Sequence, residues 1–309
     1  MTPTPILSVA AEQLRRSSVA PKTLEQYLQR WDRFVAWCRS EGVSSLPASS
    51  TTIANYLGTI DSELSISTLT GIVAAIKYTH KRDRLQIEGP SDVYTEVIAG
   101  FQRSNPHIVN KAVPIELELF EETMSTMFDT LMACRDRAML SLAFFTAFRR
   151  SEIVSLQSEH VTVLPDGNLQ VILLQSKTSV LPETLYVSRR SEEKASSCPV
   201  RAVEEWRRRA RITSGPLFRR CDSTGKPSEC QLSSQSFSAV LKKYFGQQYS
   251  GHSMRRGVAT TMDQCGMSLP EISSRLRHKS THTTMGYIEI NRGIQAAGNM
   301  EDAFAKGKK

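Results

Sequence analysis

Four short segments in the second half of a 309-residue chain hold side chains suited to charge stabilisation, proton transfer and nucleophilic attack. They are Phe148-Arg149-Arg150-Ser151-Glu152-Ile153, Gln175-Ser176-Lys177-Thr178, Gly251-His252-Ser253-Met254-Arg255-Arg256-Gly257, and Leu276-Arg277-His278-Lys279-Ser280 running on to Thr284-Met285-Gly286-Tyr287-Ile288. Arginine offers a permanently charged planar fork that matches phosphate bidentately. Lysine and histidine move protons. A tyrosine hydroxyl, with an ordinary pKa of about 10, attacks only where its proton is accepted or its phenolate stabilised.

Taken singly, each segment has a plainer reading. Arg149 and Glu152 are spaced like an exposed i,i+3 ion pair, and Tyr287 reads as a packed aromatic with its hydroxyl outward. The joint pattern changes this. His252 and Arg255 are followed by His278, 23 residues after Arg255, and Tyr287 comes nine residues later. Arg150 competes with Arg149, but a helix turns about 100° per residue, so the two cannot face one phosphate equally. Lys194 stands as a back-up to Lys177, while Tyr244 and Tyr249 suit core packing. The six cysteines and the remaining histidines, His80 among them, receive only a structural reading.

The elements that must position these residues follow from periodicity. Leu24, Tyr27, Leu28, Trp31, Phe34, Val35 and Cys38 make one continuous helical face. Further helices carry Ile53, Tyr56, Leu57 and Ile60, then Leu69, Ile72, Val73 and Ile76, then Val93, Val97, Ile98 and Phe101 behind a cap at Ser91 or Asp92. This predicts a four-helix N-terminal domain over 1–108 and a linker at 109–114 within the proline-bearing SNPHIVNKAVP stretch. A second domain follows over 115–309. There helical patterns at 115–134 and 137–157 give way to two β-rich runs around Asp166-Gly167, a strong hairpin signal. Glu183 to Val187 reads as a third strand, with Lys177 in the turn before it. From about 199 onward the pattern is helical again. The fold class is therefore mainly α: a helical bundle, then a mostly α domain with a small antiparallel sheet.

Composition narrows the function classes. The 40% hydrophobic and 23% charged fractions are those of folded soluble proteins, and no stretch approaches the roughly 20 apolar residues that span a bilayer. With no secretory signal pattern at the start, the expectation is a cytoplasmic protein without a membrane partner. The net charge is +8, and its surplus is mostly in the second part: residues 1–110 carry 11 Lys+Arg against 10 Asp+Glu, and residues 111–309 carry 28 against 21. Such a surplus favours a polyanionic partner. No P-loop and no carboxylate cluster suited to Mg²⁺ is present, so neither cofactor nor metal is expected.

The order Arg, Lys, His-x-x-Arg, His, Tyr resembles the catalytic order of the tyrosine recombinase (phage integrase) family, and the R-x-[SA]-E pattern of that family selects Arg149 over Arg150. The resemblance covers nearly the whole chain, because a core-binding, SAM-like helical domain precedes the catalytic domain there too. It implies a site-specific recombinase that cuts and rejoins duplex DNA through a 3′-phosphotyrosine at Tyr287, with four protomers exchanging strands through a four-way junction. In that chemistry Arg149 and Arg255 hold the negative charge of the five-coordinate state. Lys177 protonates the leaving 5′ oxygen. By resemblance, His252 accepts or orients the Tyr287 proton and His278 donates to a non-bridging oxygen. Glu152 would orient the arginines or His252. The segment from Ile294 to Phe304 would form a helix that docks on a neighbouring protomer. Two departures stand out: the small residue before the first arginine is at Ala147, and the glycine usual before the third motif's histidine is Arg277. The second suggests a contact from Arg277 to DNA or to a neighbouring protomer. A DNA-binding relative without cleavage activity is the alternative function, and the presence of all six catalytic residue types argues against it. A topoisomerase-like relaxing enzyme would share the chemistry but act as a monomer without site specificity.

Overall fold

In a computed structural model, described for residues 8–16, 18–60, 64–105, 112–176, 181–222, 224–288 and 293, the chain divides into two compact units, Met1–Asn110 and Lys111–Lys309. Residues 109–111 of the expected linker lie outside the described residues. Among the described residues, no helix is long and apolar enough to cross a membrane.

The first unit holds helices α1 (Val9–Arg16), α2 (Pro21–Ser40), α3 (Ser50–Gly58), α4 (Ile66–Arg82) and α5 (Asp92–Ser104). Pro21 opens α2 at a position where its missing N–H costs nothing, and the Ser49 hydroxyl caps α3 by accepting from the Thr52 N–H at 3.0 Å. The faces marked by periodicity pack on one another: Phe34, Ile53, Leu69 and Ile76 are completely buried, and Trp31, Phe34, Trp37 and Tyr56 form a ring cluster. His80 is part of this core. Its Nε2 accepts from the Ala48 N–H at 2.9 Å, so its proton sits on Nδ1 and is donated to the Ile76 carbonyl at 2.8 Å. Helix α1 was not expected, since its eight residues leave Val9 and Leu14 exposed and bury no apolar stripe.

The second unit begins with α6 (Leu117–Thr126), α7 (Leu131–Thr146) and the short α8 (Arg150–Val154). The breaks between these helices differ from the expected ones. Thr130 caps α7 by accepting from the Ala133 N–H at 3.1 Å, and Ala147, in the left-handed conformation (φ 53°), ends it. Helix α7 is buried almost all round, so its sequence shows no amphipathic stripe that would mark its ends. Strands β1 (Val161–Val163), β2 (Leu169–Leu173) and β3 (Glu183–Val187) form the expected antiparallel sheet in the order β1-β2-β3.

Next come α9 (Pro199–Ala210), β4 (Arg219–Cys221), β5 (Pro227–Gln231), α10 (Ser234–Phe245), α11 (Gly251–Gln264) and α12 (Leu269–Leu276), with helical backbone again over 281–288. The β4-β5 hairpin corrects the expectation of helices throughout this region. Asp222 organises its turn, one carboxylate oxygen accepting from the Thr224 N–H, the Thr224 hydroxyl and the Lys226 N–H. The core gathers around α7, where Phe120 stacks on Phe144 at 4.2 Å and buried Trp206 donates from its indole to the Leu217 carbonyl. Helix α11 is held close to the start of the unit: the Ile115 N–H donates to the Ser253 carbonyl at 3.0 Å, and a Cβ on Gly257 would lie 1.7 Å from the Ile115 oxygen. Only glycine fits there.

Candidate active site

Arg149 sits at the cap of α8, just past the left-handed turn at Ala147. Its guanidinium Nη1 donates to Glu152 Oε1 at 2.7 Å and its backbone N–H to Oε2 at 2.8 Å, so one carboxylate fixes both ends of the residue. The Glu152 side chain is 3% exposed against 19% for Arg149. Burial pushes the Glu152 carboxyl up, but the charge of Arg277 and the donors of Arg149 outweigh it and hold it below the usual carboxylate range. Arg150 turns elsewhere and donates to Ser238 on α10 at 3.0 Å. Geometry therefore separates the two adjacent arginines.

Helix α11 supplies His252 and Arg255. Arg255 is 2% exposed and its guanidinium donates to the Ala147 carbonyl, to the Leu276 carbonyl at 2.7 Å and to His278 Nε2 at 2.9 Å. Burial, followed by the charge of Arg149, lowers its pKa to about 10. It still carries its charge at neutral pH. His278 follows the end of α12. Because its Nε2 accepts from Arg255, its proton lies on Nδ1 and is donated to Thr284 Oγ1 at 2.9 Å; the Thr284 hydroxyl is in turn 2.6 Å from Ser273 Oγ. Burial and the charges of Arg255, Arg149 and Arg277 bring the His278 pKa down to about 4, so the ring is neutral at pH 7.

Tyr287 lies on the helical segment 281–288. Its hydroxyl is 3.2 Å from His252 Nδ1, its ring meets His278 edge-on with centroids 5.0 Å apart, and the Arg256 guanidinium lies 5.8 Å from its ring centroid. Five of the six residues expected to do chemistry, with Glu152, thus converge from the start of α8, helix α11 and the chain after α12. Lys177 lies outside the described residues. Lys194, the back-up, pairs with Glu121, and Tyr244 bonds to Asp136 at 3.2 Å while Tyr249 packs on Phe245.

Arg277 departs from the expectation of a contact to DNA or a neighbouring protomer. Its side chain is 8% exposed and turned inward, donating to Glu152 Oε2 at 2.8 Å. The residue itself is left-handed, with φ 53°, which accounts for glycine being usual at this position. Sequence reasoning also passed over Ala147 as a carbonyl ligand of Arg255, and over Thr284 and Ser273 as the partners that fix the His278 tautomer. Thr284 opens the segment that carries Tyr287, but nothing in the sequence marks it as the partner of His278, six residues before it.

The phage integrase family model matches residues 117–293, and the chain belongs to this family. An integrase/recombinase xerD homolog of Selenomonas ruminantium is 32% identical over 300 residues, covering 92% of this chain and 86% of that protein. Recombinase cre of Escherichia phage P1 is 25% identical over 299 residues, with 88% and 85% covered. Among solved structures, XerH site-specific recombinase bound to palindromic difH substrate, in a post-cleavage complex, aligns with a TM-score of 0.59 at 18% identity over 82% of this chain and 72% of that one. The Tn1549 transposon integrase in complex with transposon right end DNA aligns with the same TM-score at 14% identity over 90% and 92%. These likenesses confirm the mainly α fold with its small antiparallel sheet.

Proposed function

We propose that this protein is a site-specific recombinase that cleaves and rejoins duplex DNA through a 3′-phosphotyrosine at Tyr287. The observation that carries this reading is the Tyr287 hydroxyl, 3.2 Å from the His252 imidazole and beside a His278 already bonded to buried Arg255. An ionisable nucleophile, a proton acceptor and fixed guanidinium charge meet within one site, and related chains are solved as DNA complexes.

In the reaction, Tyr287 Oη attacks the phosphorus, its proton passes to His252 Nδ1, and the bond to the 5′ oxygen breaks. Lys177 donates the proton that the leaving oxygen needs. Arg149 and Arg255 balance the extra charge on the non-bridging oxygens from positions set before the substrate arrives. The phosphotyrosine keeps the energy of the broken ester, so attack by a new 5′ hydroxyl restores a phosphodiester without nucleotide hydrolysis. Four protomers on two DNA sites would exchange one strand pair at a time through a four-way junction.

The neutral state of His278 refines the role expected of it. With Nε2 turned to Arg255 and the proton on Nδ1, the ring does not donate toward a phosphate oxygen as it stands. A bound phosphodiester offsets the guanidinium charges that, with burial, keep the ring neutral, and draws the Arg255 N–H from Nε2 to its own oxygen; the pKa of the ring then rises, and the imidazolium donates from Nδ1 to Thr284 and from Nε2 to the phosphate. Charging of His278 would thus be coupled to substrate binding.

The test is incubation with a nicked duplex that loses its short cleaved fragment and so traps the covalent state. The expected result is a denaturation-resistant protein–DNA adduct that Tyr287→Phe abolishes. No adduct on a duplex that the protein demonstrably binds site-specifically would sink the proposal.

A further inference from the structure

Resting on the strand-cleaving reading above, we propose that Arg277 is a positioning residue, fixing the Glu152 carboxylate and thereby leaving the charge of Arg149 available to the scissile phosphate.

Three observations lead there. The first is conformational. Arg277 ends α12 with φ 53°, a region that disfavours every residue with a Cβ and is free to glycine. Arg84 and Arg211 hold the same conformation with exposed side chains, so what sets Arg277 apart is where its side chain goes: Nη2 to Glu152 Oε2 at 2.8 Å and to the Ala147 carbonyl at 3.3 Å, Nη1 to the Thr146 carbonyl at 3.2 Å and the Arg275 carbonyl at 3.5 Å, and the guanidinium 4.6 Å from the Phe148 ring centroid.

The second is the geometry of the carboxylate. Glu152 Oε1 receives the Arg149 guanidinium, while Oε2 receives both the Arg149 backbone N–H and Arg277. With donors on both oxygens the carboxylate plane has one orientation, and the Arg149 fork inherits it. Glu183, at the start of β3, lies 3.7 Å from Arg277 Nε, so the same guanidinium also reaches that strand.

The third is charge. Arg149 with Glu152 alone is a neutral pair, and its attraction for an incoming phosphate is largely cancelled. Arg149, Glu152 and Arg277 together carry one net positive charge, placed behind the more exposed Arg149. Glu183, 3.7 Å from Arg277 Nε without a hydrogen bond to it, offsets part of this charge, and a hydrogen bond joins Arg277 only to Glu152 among the described carboxylates. Arg277 lets Glu152 act as a clamp without quenching the residue it clamps.

The test uses Arg277→Gly, which keeps the left-handed turn at no steric cost, on a nicked duplex carrying the sequence enriched from a random duplex pool by the Tyr287→Phe protein. Single-turnover adduct formation, normalised to the folded fraction, should fall by about 10- to 100-fold, the usual cost of misplacing a reacting group. Affinity for the same duplex, measured in the Tyr287→Phe background, should stay within about twofold, because the scissile phosphate is one among the many phosphates whose contacts set affinity. Arg277→Lys should recover part of the rate. In a Glu152→Gln background the Arg277→Gly change should cost less than about threefold, since its effect passes through Glu152. A wild-type rate in Arg277→Gly, or an equal loss with and without Glu152, overturns the inference. Failure of the wild-type protein to form an adduct appears before any Arg277 variant is compared; it overturns the strand-cleaving reading and this inference with it.

Discussion

Protonating His278 should destabilise the DNA-free protein, and the cost follows from its surroundings. The ring is neutral in the folded state, accepting from Arg255 at Nε2, and its pKa lies at about 4 against an ordinary 6.5. The unfolded chain therefore takes up this proton at a higher pH than the folded one. Between about pH 6.5 and 4 the unfolded state binds more protons, so stability falls as pH falls, and the contribution is fully present only above 6.5. At about 1.4 kcal/mol per tenfold change in a protonation equilibrium, the gap is worth about 3 kcal/mol, an upper figure because the ring edge reaches solvent. The measurement is urea unfolding of wild type and His278→Gln at a series of pH values from 7.5 to 4. The difference in unfolding free energy between the two proteins should shrink by about 2–3 kcal/mol over that range. In parallel, the His278 ring carbon signal of the ¹³C-labelled protein should titrate far below 6.5, and its midpoint should move upward when nicked duplex is bound. Parallel stability curves for the two proteins, or a His278 signal titrating near 6.5, would refute the assignment of a ring kept neutral by burial and guanidinium charge.

Three further outcomes follow from single contacts. Gly257→Ala should destabilise the second unit by about 3 kcal/mol or more in thermal or urea unfolding, because the new methyl meets the Ile115 backbone oxygen and cannot be accommodated by a side-chain rotation. Thr284→Val should cost about 1–3 kcal/mol, since it removes the acceptor of the His278 Nδ1 proton and the partner of buried Ser273, and it should also raise the fraction of the other His278 tautomer seen by ¹⁵N shifts. His80→Leu should destabilise the first unit by about 1–3 kcal/mol by orphaning the Ala48 N–H, with faster amide exchange at Ala48 as its direct signature.

How far the sequence reveals this molecule depends on whether a feature is periodic or local. The helices of the first unit carry one apolar face each, so α2 to α5 are visible in the spacing of Phe34, Ile53, Leu69 and their neighbours. Helix α7 is buried on nearly every side, Arg135 and Asp136 included, and its ends are fixed by Thr130 and by the φ of Ala147, neither of which leaves a periodic trace. The β4-β5 hairpin escapes notice for a related reason. Its strands are short and polar, RRC and PSECQ, and its turn is built by the Asp222 side chain rather than by an Asn-Gly or Asp-Gly pair.

The site shows the same division at the level of chemistry. Reactive groups are recognisable by type and order, since few side chains can attack, protonate or hold an anion, and Arg149, His252, Arg255, His278 and Tyr287 are indeed brought together. What sets their states is not legible in that way. The proton on His278 is placed by Thr284 and by an arginine 23 residues upstream, and the orientation of Arg149 by a carboxylate that a second arginine shares. Two of the left-handed residues, Ala147 and Arg277, lie at helix ends beside the site, and Ala147 presents its carbonyl to Arg255 and Arg277 alike. A glycine at either position would turn as easily. At position 277 only an arginine also places a guanidinium on Glu152, and for that reason the substitution that looks most like a defect in the sequence motif is the one that completes the charge balance of the site.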